Sequence, residues 1–240
     1  MVFAIFLCTF APTAASQEQE TIKVGYNDFW PIAFTEDDIA KGEWVEAMHG
    51  VLKGLGKPHN FTEYPIKRMF MLIRTGELHI GMYTPSAGYE DDTILISTQA
   101  LSYIGIRLYA ATPNAFENFT SIYDIRNESI ITISGYSYSG IRAEIEASTQ
   151  NIQFLDTPTH TTAFAMLKAG RAKYVLDYTR PVLQIKPDID MPSLSSELVK
   201  SIPVLYVVSK KVANPQELMR RLELETERLR QQPKTPSETK

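Results

Sequence analysis

Asp177 is the acidic side chain of this sequence best placed to bind a charged group. It directly follows the apolar run Tyr174-Val175-Leu176, which predicts a strand. Asp177 is therefore expected at the carboxyl end of a strand, where α/β sheets bind their ligands. A carboxylate there accepts charge-assisted hydrogen bonds from an ammonium group. The alternative is an exposed loop carboxylate.

Two features could bind an anionic group. Arg68 lies at the start of a predicted helix, where the helix dipole disfavours a cation. This unfavourable position indicates that Arg68 serves another purpose, such as binding an anionic ligand group. A solvated arginine is the equal alternative. The stretch Ser134–Gly140 leads into another predicted helix, whose free N–H groups favour an anion. Ser137 is thus a candidate contact for a ligand carboxylate, with a plain helix cap at Ser137 or Ser139 as the alternative.

Aromatic side chains gather at predicted strand ends and in the loops after them. Tyr26 and Tyr83 end strands, Phe29 and Trp30 follow Tyr26, and Thr84 follows Tyr83. Solute sites use aromatic rings as apolar walls, although such rings are also ordinary core residues. We expect at least two of the four rings to line a cleft, Trp30 foremost.

The sequence predicts neither a metal nor a cofactor. Its four histidines do not have a metal-ligand spacing. The Gly-rich stretch 134–140 lacks the lysine of a phosphate-binding loop, and no G-x-S-x-G sequence occurs. No histidine or glutamate is expected at a predicted strand end, which argues against acid–base catalysis.

The charge balance argues against a nucleic-acid partner. The 240 residues carry 24 Lys+Arg and 28 Asp+Glu, a formal net charge of −4. Nucleic-acid binding requires a clustered positive surplus. An apolar fraction of 44% is ordinary for a globular protein, and the length allows one large domain or two lobes.

Residues 1–16 have the pattern of a secretory signal peptide. They carry no charged side chain, and the apolar run Val2–Phe10 is followed by small residues ending at Ala15 and Ser16. The run is too short to cross a bilayer. Cys8 is the single cysteine and lies in this leader, so the mature chain is expected to be exported, soluble and free of disulfides.

The remaining sequence alternates strand and helix patterns in two similar halves, which predicts an α/β fold. At an offset of 94 residues, Phe70–Gly76 aligns with Phe164–Gly170, each a helix end with an aromatic residue, a cation and a glycine. The same offset places Tyr83 opposite Asp177. Each half is therefore expected to end a strand at the ligand-binding edge.

Two strand-like stretches, Ser97–Ala111 and Ile202–Ser209, are predicted to connect the lobes. A chain that crosses twice between lobes forms a hinge-closing architecture. The predicted boundaries are residues 17–106 with 202–232 for the first lobe, 107–201 for the second lobe and 233–240 for a disordered tail.

This organisation resembles extracellular solute-binding proteins of family 3, the type II periplasmic binding proteins. The resemblance rests on Ile22–Tyr26 with the aromatic-Pro loop after it, on Lys67-Arg68, on Gly81–Pro85, and on Met166–Arg171 with Asp177. It implies a two-lobed α/β fold that closes on a small solute, in which Asp177 matches the aspartate that receives a ligand amino group.

One departure from the family pattern affects the ligand. Amino-acid binders of the family have Thr-Pro-x-Arg, whose arginine holds the ligand carboxylate, but here Thr84-Pro85-Ser86 is followed by Ala87. The resemblance then implies either a cationic or neutral ligand, or a replacement cation such as Arg68 or Arg107.

The sequence thus predicts a monomeric periplasmic binding protein for a small polar, amino-acid-like or amine-containing solute, without catalysis, working with a membrane ABC permease. Two alternatives stay open. One is an enzyme similar to cyclohexadienyl dehydratase on the same fold, with Asp177 as general acid or base. The other is a solute-sensing subunit without transport.

Overall fold

The computed structural model describes residues 20–85 and 88–232. The predicted leader, Ser86, Ala87 and the predicted tail lie outside the described residues. Within residues 20–85 and 88–232, no helix combines the length and the apolar character needed to cross a membrane.

Strands and helices alternate along most of the chain. The strands are β1 (Ile22–Tyr26), β2 (Phe34–Glu36), β3 (Ile39–Lys41), β4 (His59–Glu63), β5 (Ile80–Tyr83), β6 (Ile94–Ile96), β7 (Ser102–Ala110), β8 (Ser129–Ile133), β9 (Gln153–Thr157), β10 (Tyr174–Tyr178) and β11 (Ser195–Ser209). The α-helices are α1 (Glu43–Gly54), α2 (Ile66–Thr75), α3 (Ile141–Glu146), α4 (His160–Lys168), α5 (Thr179–Ile189) and α6 (Pro215–Gln231).

The main sheet contains two groups of parallel strands. Its order is β4-β1-β5-β11-β7-β10-β8-β9, with β6 beside β11. In the first lobe β1 is parallel to β4 and β5, and in the second lobe β8 is parallel to β9 and β10. This arrangement confirms the predicted α/β class, because each parallel group needs crossover helices on its faces.

Strands β7 and β11 link the two groups. The first part of β11, residues 195–204, pairs antiparallel with β7, and its last part pairs with β5. The sequence pattern predicted the second link from Ile202, whereas the strand begins at Ser195. The predicted lobe boundaries stay predictions.

Helix α5 was absent from the predicted elements. The sequence pattern gives a strand ending near Pro181 and a Pro/Ser-rich segment, Pro187–Ser196, in this part of the chain. Pro181 lies in the first turn of the helix, where N–H groups have no intrahelical partner. Pro187 lies inside the helix near its end, where its missing N–H removes one backbone hydrogen bond.

Helix α2 lies directly on the sheet because two strand residues lack side chains. A Cβ atom on Gly25 would lie 3.0 Å from Met69 Cγ, and one on Gly81 would lie 2.6 Å from Ile73 Cδ1. Helix α2 therefore packs closely on strands β1 and β5 of the first lobe.

Candidate functional site

The candidate site lies where the second lobe's parallel strands end. Asp177 and Tyr178 are the last two residues of β10, Tyr136 follows β8, and His160 begins α4 shortly after β9. Because parallel strands end at the same edge of a sheet, these residues from separate parts of the chain lie together.

Asp177 is fully buried, and both its oxygens accept hydrogen bonds. Its Oδ2 lies 2.7 Å from His160 Nδ1, and its Oδ1 accepts from the Tyr178 backbone N–H at 2.7 Å. Burial raises the pKa of Asp177, while the hydrogen bond and the charge of His160 act in the opposite direction. His160 therefore occupies one oxygen of the carboxylate and is itself largely buried.

Tyr136 extends this pair into a short network. Its hydroxyl lies 3.3 Å from His160 Nε2. Burial and the charges of Asp177 and Asp28 raise the pKa of Tyr136 to about 12, so the hydroxyl keeps its proton at neutral pH. A neutral His160 that donates from Nδ1 to Asp177 accepts from Tyr136 at Nε2.

Aromatic rings from both lobes meet beside the network. Phe29, in the loop after β1, has its ring centroid 5.2 Å from Tyr178 and 6.1 Å from Tyr136. The neighbouring Trp30 ring lies 6.3 Å from the His160 ring. These edge and tilted contacts have the spacing of favourable aromatic pairs, so the rings hold the lobes together here.

A cavity of about 390 Å³ adjoins this aromatic cluster, with Trp30 on its wall. Glu43 of α1 and Arg180 of α5 line it and form an ion pair across the lobes, with 2.9 Å between Oε2 and Nε. Glu46 and Lys41 add one charge of each sign. This size and polarity suit a small polar molecule.

The structure brings only some of the predicted residues together. Trp30 and Asp177 both contact His160, and Trp30 is 39% exposed. Tyr26 is buried, and its hydroxyl hydrogen-bonds Thr35 Oγ1 at 2.8 Å. Tyr83 is buried in a separate cluster against Phe70, and its hydroxyl has no partner among the described residues.

The remaining predicted contacts lie further from the network. Arg68 is exposed, with its guanidinium 5.8 Å from the centre of the Tyr64 ring. Thr84 is partly exposed, and Ser137 is exposed on the second lobe. Arg107 lies opposite Asp177 in the β7–β10 pairing, but its guanidinium hydrogen-bonds Ser196 instead. The ligand contacts of these residues stay predictions.

The sequence pattern missed His160, Tyr136 and Tyr178. His160 was considered only as a metal ligand, and no histidine was expected at a strand end. A usable signal was present: Thr159 is a good N-cap residue, and its side chain accepts from Thr162 N. A cap at Thr159 makes His160 the first helical residue, facing the edge at which the strands end.

Among the described residues, no group of three or more His, Cys, Asp or Glu side chains could hold a metal ion. The polar chemistry of the site is therefore carried by a carboxylate, an imidazole and tyrosine hydroxyls. Such groups bind polar solutes by hydrogen bonds, and a histidine–carboxylate pair is also suited to moving a proton.

Several solved structures share the fold of this chain. No protein-family model and no curated sequence matches the chain. An ancestral cationic amino acid solute binding protein (AncCDT-1) has a TM-score of 0.64 at 14% identity, over 88% of this chain and 90% of that one. In a second structure, AncCDT-1 is described as an ancestral amino-acid-binding protein and a precursor of cyclohexadienyl dehydratase.

Two further structures share the fold. A histidine kinase sensor domain similar to periplasmic binding proteins has a TM-score of 0.61 at 19% identity, over 88% of this chain and 91% of that one. The substrate binding protein of an amino acid ABC transporter has a TM-score of 0.55 at 15% identity, over 88% and 94%. These likenesses confirm the predicted resemblance and the two-lobed fold.

Proposed function

We propose that this chain is a solute-binding protein that captures a small amine-containing solute by closing its two lobes. The observation that carries the proposal is the contact of Phe29 and Trp30, from the first lobe, with the rings around Asp177 in the second. A solute that contacts both sides favours the closed arrangement, because it gains those contacts only when the lobes meet.

An amine is favoured because a buried carboxylate lies beside the cleft. Asp177 is held at a strand end with a nitrogen donor already 2.7 Å from Oδ2, the geometry that an ammonium would take if His160 turned aside. Glu43 and Glu46 line the adjacent cavity. Trp30 provides the apolar wall, and Arg180 offers a cation for a ligand carboxylate in place of the arginine that Ala87 replaces.

We propose different roles for the other predicted ligand contacts. Tyr26 and Tyr83 are proposed to act through the core rather than by direct exposure, because both are buried, Tyr83 in its own cluster. Thr84 and Ser137 are proposed to lie at the rim of the cleft, one on each lobe. Arg68 is proposed to contact an anionic group of the ligand. We propose residues 17–106 with 202–232 as the first lobe and 107–201 as the second.

A thermal-shift screen of amino acids, amines and polyamines tests this function. A ligand at a hundred times its Kd adds about 2.7 kcal/mol to the free energy of unfolding, which is about 5–10 °C for a chain of this size. Trp30→Ala is expected to weaken the hit at least tenfold. Asp188→Asn, an exposed carboxylate on α5, is the matched control for Asp177→Asn. Unchanged affinity in Asp177→Asn would reject the role of Asp177.

Export and transport are further parts of the proposal. We propose that residues 1–16 direct the chain to the periplasm and that an ABC permease receives the solute. N-terminal sequencing of the mature protein is expected to begin near residue 16 or 17. Uptake of the labelled hit should fall in cells that lack the chain. Normal uptake would favour the solute-sensing role, which the similarity to a sensor domain also supports.

A second candidate is an enzyme related in chemistry to cyclohexadienyl dehydratase. The observation in its favour is the network of Asp177, His160 and Tyr136, since a histidine oriented by a buried carboxylate is a common general base. Incubation with prephenate-like acids followed by product analysis separates the two functions. Turnover that is lost in His160→Gln would establish catalysis, and stabilisation without turnover would favour the binder.

A further inference from the structure

A second cavity lies against helix α5 and shares one lining residue, Leu183, with the cavity beside the aromatic cluster. It has a volume of about 280 Å³ and opens between α5 and the linking strands β7 and β11. Its two charged lining residues are Arg107 of β7 and Lys186 of α5, and no carboxylate lines it among the described residues. The cavity is therefore positively charged.

Arg107 is held in place without a counter-charge. Its Nε donates to Ser196 Oγ at 2.9 Å and its Nη2 donates to the Ser196 carbonyl oxygen at 3.2 Å. Asp177 is directly opposite in the strand pairing, but its oxygens are occupied by His160 and by the Tyr178 N–H. In the described part of the chain, neither Arg107 nor Lys186 forms an ion pair.

Beside the two cations, the cavity has two polar lining residues, Thr179 and Ser196, and a largely apolar remainder. Tyr109, Val182 and Leu194 line it, and Leu183 lies at its rim with 51% of its surface exposed. Leu198 is opposite Arg107 in the β7–β11 pairing, hence on the same face, and is 50% exposed. These apolar side chains therefore lie beside a cation whose orientation is held by Ser196.

We propose that this cavity is a binding site for a small amphipathic carboxylate, separate from the cleft. The carboxylate would bind the free edge of the Arg107 guanidinium, with Lys186 adding a second charge, and the apolar body would lie against Val182, Leu183 and Leu194. Arginine is suited to this role because its planar donors match a carboxylate and Ser196 already fixes its orientation.

Isothermal titration of the full chain with phenylacetate tests the proposal. Phenylacetate is expected to bind at one site, whereas phenylacetamide, which lacks the charge, and acetate, which lacks the ring, bind at least tenfold more weakly. Arg107→Gln should lower the affinity for phenylacetate about tenfold or more, because a charged hydrogen bond is lost. Lys186→Gln, a change of an exposed side chain, should lower it severalfold.

Two control variants make the result decisive. Lys53→Gln makes the same charge change on an exposed lysine of α1, and it should leave phenylacetate binding unchanged. Trp30→Ala alters the cleft and should also leave it unchanged. Equal affinity in wild type, Arg107→Gln and Lys186→Gln would overturn the proposal, as would a loss in Trp30→Ala that matches the loss in Arg107→Gln. If no solute stabilises the protein in the thermal-shift screen, these outcomes with phenylacetate are unaffected. The proposed solute-binding function and the proposed carboxylate site can therefore be rejected independently.

Discussion

The ends of β5 and β10 occupy corresponding places in the two lobes but are stabilised differently. Tyr83 is the last residue of β5, and Asp177, 94 positions later, is the last but one of β10. Each strand follows a helix that begins at corresponding positions. Tyr83 packs its ring against Phe70, and its hydroxyl has no partner among the described residues. Asp177 has both oxygens hydrogen-bonded. One end is apolar, and the other is a polar network.

A single corresponding position accounts for much of this difference. Helix α2 begins at Ile66 and helix α4 begins at His160, again 94 residues apart. Ile66 packs against the apolar cluster around Tyr83, whereas His160 hydrogen-bonds Asp177. The same backbone unit therefore becomes a core contact in one lobe and a candidate binding site in the other.

The largest effect is expected from removing the carboxylate of the second lobe. Asp177→Leu leaves the His160 Nδ1 and the Tyr178 N–H without an acceptor in a buried place, and it should lower the free energy of unfolding by about 3–5 kcal/mol. Urea unfolding measures the change. Asp177→Asn keeps one acceptor oxygen and should lose less. If the two variants are equally stable, the network is not what stabilises this strand end.

A smaller loss is expected from a tyrosine hydroxyl near the same network. Tyr138 is fully buried, and its hydroxyl accepts from the Ile133 N–H at 2.7 Å. Tyr138→Phe leaves this N–H without a partner and should cost about 1–3 kcal/mol in urea unfolding. A cost near zero would mean that the second lobe is held by ring packing, as the first is.

A buried histidine of the first lobe allows a comparison by pH. His79 is 6% exposed, and its Nδ1 accepts from the Lys23 N–H at 3.3 Å. Burial lowers the pKa of His79, with Glu20 opposing. The unfolded chain then binds a proton more readily, so stability should fall as the pH drops below the ordinary value of about 6.5.

Thermal unfolding of His79→Gln against wild type from pH 8 to pH 5 measures this contribution. The variant lacks the titrating group, so the melting temperature of wild type minus that of the variant should decrease towards acid pH. A difference that stays constant over this range would show that burial does not hold His79 in the neutral form.

The ion pair between the lobes is expected to contribute little to stability. Glu43 and Arg180 are 36% and 46% exposed, and exposed pairs typically contribute about 0.2–1 kcal/mol. A double-mutant cycle with Glu43→Gln and Arg180→Gln, measured by urea unfolding, gives the coupling. A coupling well above 1 kcal/mol would make this pair a principal contact between the lobes.

The smallest effect is expected at the strand end of the first lobe. Tyr83→Phe removes a buried hydroxyl without a partner among the described residues, so the free energy of unfolding should stay the same or rise by up to about 1 kcal/mol. Tyr206→Phe is the matched control, because the Tyr206 hydroxyl bonds Thr226 Oγ1 at 2.5 Å and its loss should destabilise. A destabilised Tyr83→Phe would indicate a partner for that hydroxyl.

Local sequence patterns predicted most of the elements. The strand expected from the apolar run Tyr174–Leu176 spans Tyr174–Tyr178 in the structure, and the helix expected to end before Gly76 ends at Thr75 with Gly76 at a φ of 86°. Apolar periodicity and a capping glycine are local signals, so they can be recognised in the sequence without knowledge of the fold. Helix α5, at Thr179–Ile189, is not among the elements that these patterns predicted.

The candidate site was only partly predictable. Asp177 and Trp30 were identified from their places at strand ends, and the structure brings both to His160. His160 lies 17 residues from Asp177 along the chain, and Phe29 lies over a hundred residues from Tyr136. No periodicity within one segment predicts such pairs, because their meeting depends on how the strands are ordered.

The sequence by itself therefore determined the alternation of strands and helices, the repeat between the lobes and the strand end at Asp177. Only the tertiary structure decided that His160 binds that carboxylate, that Arg107 turns away to Ser196, and that aromatic rings of both lobes meet in the cleft. The physical reason is that hydrophobic periodicity specifies which face of an element is buried, whereas the partner of a buried polar group depends on neighbours distant in the chain.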